Sequence, residues 1–82
     1  MTKPTIHRNG TSREELLEQV CEAGREILNA MKALSNAAPN GRDYYPQGAG
    51  AIDIAVREHA ERIHRLADVR RELEQIVEHI RS

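Results

Sequence analysis

Residues 39–50 read PNGRDYYPQGAG, and this stretch decides the fold because it separates two long helical patterns. Pro39 disfavours helical backbone at the residue before it, and the pair Asn40–Gly41 predicts a turn. A Gly-Ala-Gly step then follows before the second helical pattern begins. A connector over residues 37–50 is long enough to fold the chain back on itself. The sequence therefore predicts an all-α fold, an antiparallel helical hairpin.

The first helical pattern covers residues 13–36 and begins at a capping box, Ser12 to Glu15. In such a box the serine hydroxyl accepts a hydrogen bond from the backbone amide of the glutamate. Its apolar seam alternates at steps of three and four, through Leu17, Val20, Gly24, Ile27, Met31 and Leu34. Flanking positions are also apolar or small, so the stripe is wider than one neighbouring helix covers. Gly24 costs roughly 1 kcal/mol of helix propensity relative to alanine, but it permits close approach of a neighbour.

The second helical pattern covers residues 51–80 and is regular. Its seam comprises Ile52, Val56, His59, Ile63, Leu66, Arg70, Leu73, Val77 and Ile80. Oppositely charged residues four apart, such as Glu58 and Arg62, lie away from the seam and predict a solvated face. His59 and Arg70 are the polar interruptions of the seam. For Arg70 we expect either a polar residue that fixes the pairing register, or a packed stem with its charged head in water.

The length of the chain predicts self-association. A chain of 82 residues buries only about 60% of its unfolded surface. The single cysteine, Cys21, excludes an intramolecular disulfide, and its apolar surroundings predict a small core residue. Two helices with wide apolar stripes give each other only one neighbour. The sequence therefore predicts a four-helix bundle of two hairpins, or a larger homo-oligomer.

The charge and the segment composition exclude several classes of protein. A formal net charge of −1 argues against a nucleic-acid binder, which usually carries a basic stripe. No apolar run approaches the ~18 residues of a membrane span, and the start of the chain lacks the apolar core of a secretory signal. We therefore expect a cytoplasmic protein without membrane association. Residues 1–11 are polar and predict a flexible arm ahead of a hairpin over 12–82.

The histidines and carboxylates predict no catalytic, cofactor or metal site. His59 and His64 are five residues apart, which places them about 140° from each other on a helix. A helical zinc pair needs a spacing of about four residues. For His59 we expect a satisfied histidine at the edge of the core, bonded to a carbonyl or to Asp43. The alternative is a pH-sensitive switch or a general base.

The connector holds Tyr44 and Tyr45, the only aromatic residues, directly after Arg42 and Asp43. In a structural role, a tyrosine ring covers the open end of a helical bundle, and the two charges brace the loop. In a functional role, these four residues form a contact surface, since arginine and tyrosine are enriched at interface hot spots. The surface then binds either a partner protein or a small nucleotide-like ligand at a subunit interface.

The connector PNGRDYYPQG, followed by Glu58–His59 and a helix rich in arginine and leucine, resembles small proteins encoded in phages and proteobacterial prophages. The resemblance covers roughly residues 36–80. It implies an origin in a mobile element, where small accessory proteins often bind a host protein. The resulting hypothesis is a small, non-catalytic, self-associating interaction module, with a small-ligand binder as its alternative.

Overall fold

Two long antiparallel helices form the protein in a computed structural model, which describes residues 1–7 and 10–82. Helix α1 spans Arg13–Asn36 and helix α3 spans Ala51–Arg81. The two pack against each other along their lengths. The predicted all-α hairpin is therefore confirmed, and the predicted ends of its long helices agree with the observed ends to within one residue.

Helix α1 begins where the sequence predicts, because Ser12 caps it. Ser12 has extended backbone angles, and its Oγ accepts a hydrogen bond of 3.2 Å from the amide of Glu15. At the other end, the amide of Ala37 donates to the carbonyls of Ala33 and Leu34, at 3.1 and 3.0 Å. These bonds satisfy backbone groups that a helix end otherwise leaves unpaired.

The connector contains a one-turn helix, α2, at Gly41–Tyr44, followed by a 3₁₀ turn at Tyr45–Gln47. The predicted turn at Asn40–Gly41 is present, closed by a hydrogen bond of 3.2 Å from the amide of Asp43 to the carbonyl of Asn40. The turn continues as α2, which Asn40 also caps, with its Oδ1 accepting a hydrogen bond of 2.9 Å from the amide of Arg42. Asparagine serves both purposes equally well, since its short side chain bonds to nearby amides in turns and at helix starts.

Two glycines carry the chain from the 3₁₀ turn into α3. Gly48 and Gly50 have φ angles of +100° and +89°, a region that side chains with a Cβ atom avoid. The predicted break before the second helix is therefore confirmed, and its cause is the left-handed backbone at these two positions.

The start of α3 departs from the predicted seam. Val56 is 48% exposed, whereas its neighbour Ala55 is only 7% exposed and faces α1. The prediction assumed a strict seven-residue repeat along the whole helix. At about 100° per residue, Ala55 lies about 40° and Val56 about 60° from the direction of the buried His59, so Ala55 is nearer the inward face.

The hairpin buries little of its apolar surface. No residue of α1 is buried, and α3 contributes three buried residues, Ala55, His59 and Ile80. The other seam residues are half-buried, apart from the exposed Val56. The molecule measures 60 × 20 × 18 Å, with a radius of gyration of 18.3 Å. A compact domain of this length has a radius of gyration of about 12 Å, so the hairpin is a rod.

The described part of the N-terminal arm returns to the end of α3. Nε2 of His79 lies 3.0 Å from the carbonyl oxygen of Pro4, and Ile6 is half-buried. The arm predicted over residues 1–11 includes Arg8 and Asn9, which lie outside the described residues. Within the described residues, neither long helix combines the length and the apolar character that crossing a membrane requires.

Candidate interaction surface

A cleft of about 420 Å³ opens between α1 and α3, from the level of Gly24 and Arg70 to Arg81 at the end of α3. Its floor is apolar or small, and its border carries charges of both signs. The floor consists of Val20, Cys21, Gly24, Leu73 and Val77, and the border of Arg25, Arg70, Glu74, Glu78 and Arg81. The cleft is therefore an apolar surface within a charged frame, which is the composition of a protein–protein contact.

Gly24 and Arg70 both line this cleft, and together they explain why it is there. A Cβ atom built on Gly24 would meet no atom within 4 Å, so α1 contributes no side chain at this level. On the facing helix, the seam holds a long polar residue in place of an apolar one. The sequence indicated each interruption separately. Only the antiparallel register of the two helices shows that they belong to one gap.

Arg70 is half-buried, and its guanidinium reaches the border of the cleft. Its Nη1 lies 3.9 Å from Oε1 of Glu74, one turn further along the same helix. This arrangement agrees with a packed stem and a charged head near water. An exposed ion pair contributes at most about 1 kcal/mol. At 3.9 Å this contact is too long to be a hydrogen bond, so it does not use the N–H donors of the guanidinium.

His59 is satisfied within the hairpin. The residue is 8% exposed, and its Nε2 lies 2.6 Å from the carbonyl oxygen of Leu34. Leu34 belongs to the last turn of α1, where its carbonyl also accepts a hydrogen bond from the amide of Ala37. The Nε2–H group of α3 therefore caps the end of α1. This geometry agrees with the interpretation of His59 as a satisfied histidine bonded to a carbonyl, and Asp43 is not the partner of its Nε2.

The four connector residues proposed as a contact surface do not converge. Tyr44 is half-buried, whereas Tyr45 is 86% exposed. Both line a hollow of about 700 Å³ with Pro46 and Ile52. Arg42 and Asp43 are exposed and do not line it. The half-buried Tyr44 fits the structural role predicted for a tyrosine at this end, and the projecting Tyr45 fits the contact role.

Charged side chains form short-range pairs on the outer faces. Arg25 contacts Glu22, and Arg71 contacts Asp68, each three residues apart on one helix. The hydrogen bond and the charge of Arg25 lower the pKa of the Glu22 carboxyl below its usual value. The predicted pairs four apart are represented among the described residues by Arg70 and Glu74 alone.

Among the residues that the structure describes, no three histidine, cysteine or carboxylate side chains come together to hold a metal ion. Every buried side-chain nitrogen and oxygen in that part of the chain has a hydrogen-bond partner. Comparison of the chain with known protein families, with curated proteins and with solved structures finds no match.

Proposed function

We propose that this chain is a small, non-catalytic protein–protein interaction module that associates with itself. The observation that carries the proposal is the shortage of buried residues in the single hairpin. Only Ala55, His59 and Ile80 are buried among the described residues, although both helices carry apolar residues over most of their length. Such a chain gains stability when another helical surface removes its half-buried side chains from water.

The apolar surface that a second hairpin would remove from water supports association. Removing apolar surface from water is worth about 25 cal/mol per Å². A stable protein interface buries about 800 Å² on each partner. Exposed apolar side chains, among them Val56 and Val69, extend the half-buried seam on its flanks. In a bundle of two hairpins each helix gains a second neighbour, which matches the width of the apolar stripes.

The chemistry of the candidate surface supports a binding role over a catalytic one. The cleft is lined by charged side chains on an open border and by apolar side chains on its floor. His59, the most deeply placed titratable group, already holds the Leu34 carbonyl with its Nε2. The net charge of −1 allows two copies to approach without strong mutual repulsion.

The experiment that tests self-association is absolute mass by light scattering across a concentration series. The mass of one chain is 9.3 kDa, and we expect a rise to twice this value or more within the micromolar range. A mass of one chain at every concentration contradicts self-association. In that case the apolar surface belongs to a different protein, and the resemblance to phage-encoded proteins makes a host protein the first partner to seek by affinity capture.

A second candidate function rests on the connector. The hollow of about 700 Å³ beside Tyr44 and Tyr45 offers two aromatic rings to a small flat ligand such as a nucleotide. The chain has no tryptophan, so tyrosine fluorescence reports directly on this region. A change in fluorescence and a thermal shift on adding a nucleotide, both lost in Tyr45→Ala, support this role. No change in either signal across a nucleotide series contradicts it.

A further inference from the structure

We propose that the cleft at Gly24 is occupied by a second copy of this chain, with two hairpins meeting face to face around a two-fold axis. This inference rests on the self-association proposed above and adds to it the surface and the symmetry. The occupant is a whole hairpin, and the closest approach is between the α1 helices near Gly24.

The first support is the room at Gly24. A Cβ atom there would meet nothing within 4 Å, and the position lies in the middle of a 24-residue helix. Glycine at such a position weakens the helix and is useful where another backbone comes close. Within the described residues, no atom outside the backbone of α1 comes close enough to touch that Cβ atom. A second copy supplies the missing neighbour.

The second support is the charge pattern of the border. It carries three arginines and two glutamates, so it matches neither a purely acidic nor a purely basic partner. Around a two-fold axis, a contact between an arginine of one copy and a glutamate of the other is made twice, once in each direction. Arg70, whose contact with Glu74 is 3.9 Å long, has donors left for a glutamate of the second copy.

The third support is the area. The cleft alone is too small for a stable interface, so the contact has to extend along the face of the rod. By helical spacing the same face continues through Leu28, seven residues after Cys21, and Ala67, seven residues before Glu74. One face of a molecule 60 Å long and 20 Å wide offers on the order of 1,000 Å², against the ~800 Å² that each partner needs. A second hairpin has the required length.

The decisive experiment compares Gly24→Arg with Ala23→Arg. Both positions lie in the middle of α1, but Ala23 is exposed and does not line the cleft. We measure the dissociation constant by sedimentation and the helix content by circular dichroism. We expect Gly24→Arg to raise the dissociation constant by about tenfold or more, because it places a long charged side chain in the contact. Ala23→Arg should change it by less than about threefold.

If Gly24→Arg does not fold, Gly24→Ala replaces it in the measurement of the dissociation constant, because an added methyl group meets no atom of its own chain. We expect it to weaken association while the dilute protein keeps its helix content. In the wild type, Cys21 on the cleft floor should react more slowly with a maleimide as the protein concentration rises.

Three results overturn the inference while self-association stands. The first is association of both Gly24 variants as tight as that of the wild type. The second is a loss caused by Ala23→Arg and not by Gly24→Arg. The third is a reactivity of Cys21 that stays constant as the protein associates. A wild type of single-chain mass at every concentration overturns the proposed function as well.

Discussion

The two ends of the hairpin are closed, whereas its middle is open. At the connector end Ala55 and His59 are buried, and at the far end Ile80 is 1% exposed. Over residues 60–79, between these ends, no side chain is buried. The cleft begins there, at Gly24 and Arg70, and its border extends past Ile80 to Arg81. The same apolar seam runs through both ends and the middle, so the difference in burial comes from a few particular side chains.

This difference separates two tasks within one helix pair. The connector end fixes the register of α1 against α3 through the His59–Leu34 hydrogen bond. At the other end Ile80 is buried, next to the place where the N-terminal arm contacts His79. The open middle is the part that we propose as the contact with a second copy. Substitutions at the ends should therefore change the stability of the hairpin, and substitutions in the middle should change its association.

The largest loss of stability is expected from Ile80→Ala at the far end. Truncating a fully buried isoleucine removes contacts and leaves a cavity, at a cost of about 3 kcal/mol. The matched control is Ile54→Ala on the same helix, because Ile54 is more than half exposed and its truncation should cost less than about 0.5 kcal/mol. Denaturant unfolding of dilute protein measures both values. Equal losses would show that the far end is not closed.

His59→Ala tests the connector end and should cost about 2 kcal/mol, for one hydrogen bond and the burial of the ring. The Leu34 carbonyl also accepts from the amide of Ala37, so it is not left without a partner, and this limits the cost. The control is His64→Ala, an exposed histidine on the same helix, which should leave the unfolding free energy unchanged. A loss as small as that of the control would mean that the His59 bond does not hold the helices together.

Gly24→Ala tests the middle and should have the opposite sign in dilute solution. Alanine favours helix over glycine by about 1 kcal/mol, and the added methyl group meets no atom of its own chain. The unfolding free energy of the single hairpin should therefore rise by about that amount. A destabilised single hairpin would show that the middle is closed, and the comparison between ends and middle would then fail.

The smallest effect is expected at the exposed pair of Glu22 and Arg25. Arg25 lowers the pKa of Glu22 in the folded protein, so the pair stabilises the fold above the unfolded pKa of this carboxyl. That contribution is lost as the pH falls through the lower folded pKa. In Arg25→Ala we expect the titration midpoint of Glu22, followed by NMR, to rise towards the usual glutamate value. An unchanged midpoint would mean that the pair does not form in solution.

The sequence predicts the hairpin well because each local signal agrees with the next. Ser12 caps α1 as its capping box indicates, and the glycines before α3 take the left-handed backbone that breaks a helix. The exception at Val56 has a geometric cause, since at about 100° per residue Ala55 lies closer than Val56 to the direction of the buried His59. Asn40 both begins the predicted turn and caps α2, because its short side chain suits both local structures.

The candidate surface was harder to predict, because it depends on which residues of one helix face those of the other. Gly24 and Arg70 each interrupt a seam, but no local pattern states that they share one cleft. The partner of His59 also depends on the register. A carbonyl was one of two partners predicted, and only the antiparallel packing identifies it as that of Leu34. Tyr44 and Tyr45 differ in exposure for the same reason, although they are neighbours in sequence.

The rod shape described above has a consequence for X-ray scattering in solution. Two hairpins stacked side by side, about 10 Å apart, have nearly the same radius of gyration as one, since their length of 60 Å is unchanged. Two hairpins joined end to end would have a radius of gyration of about 35 Å, because head-to-tail contacts extend an assembly along its axis. The forward intensity doubles in both cases. A doubled intensity with a radius near 18.3 Å therefore distinguishes lateral pairing from growth into a filament.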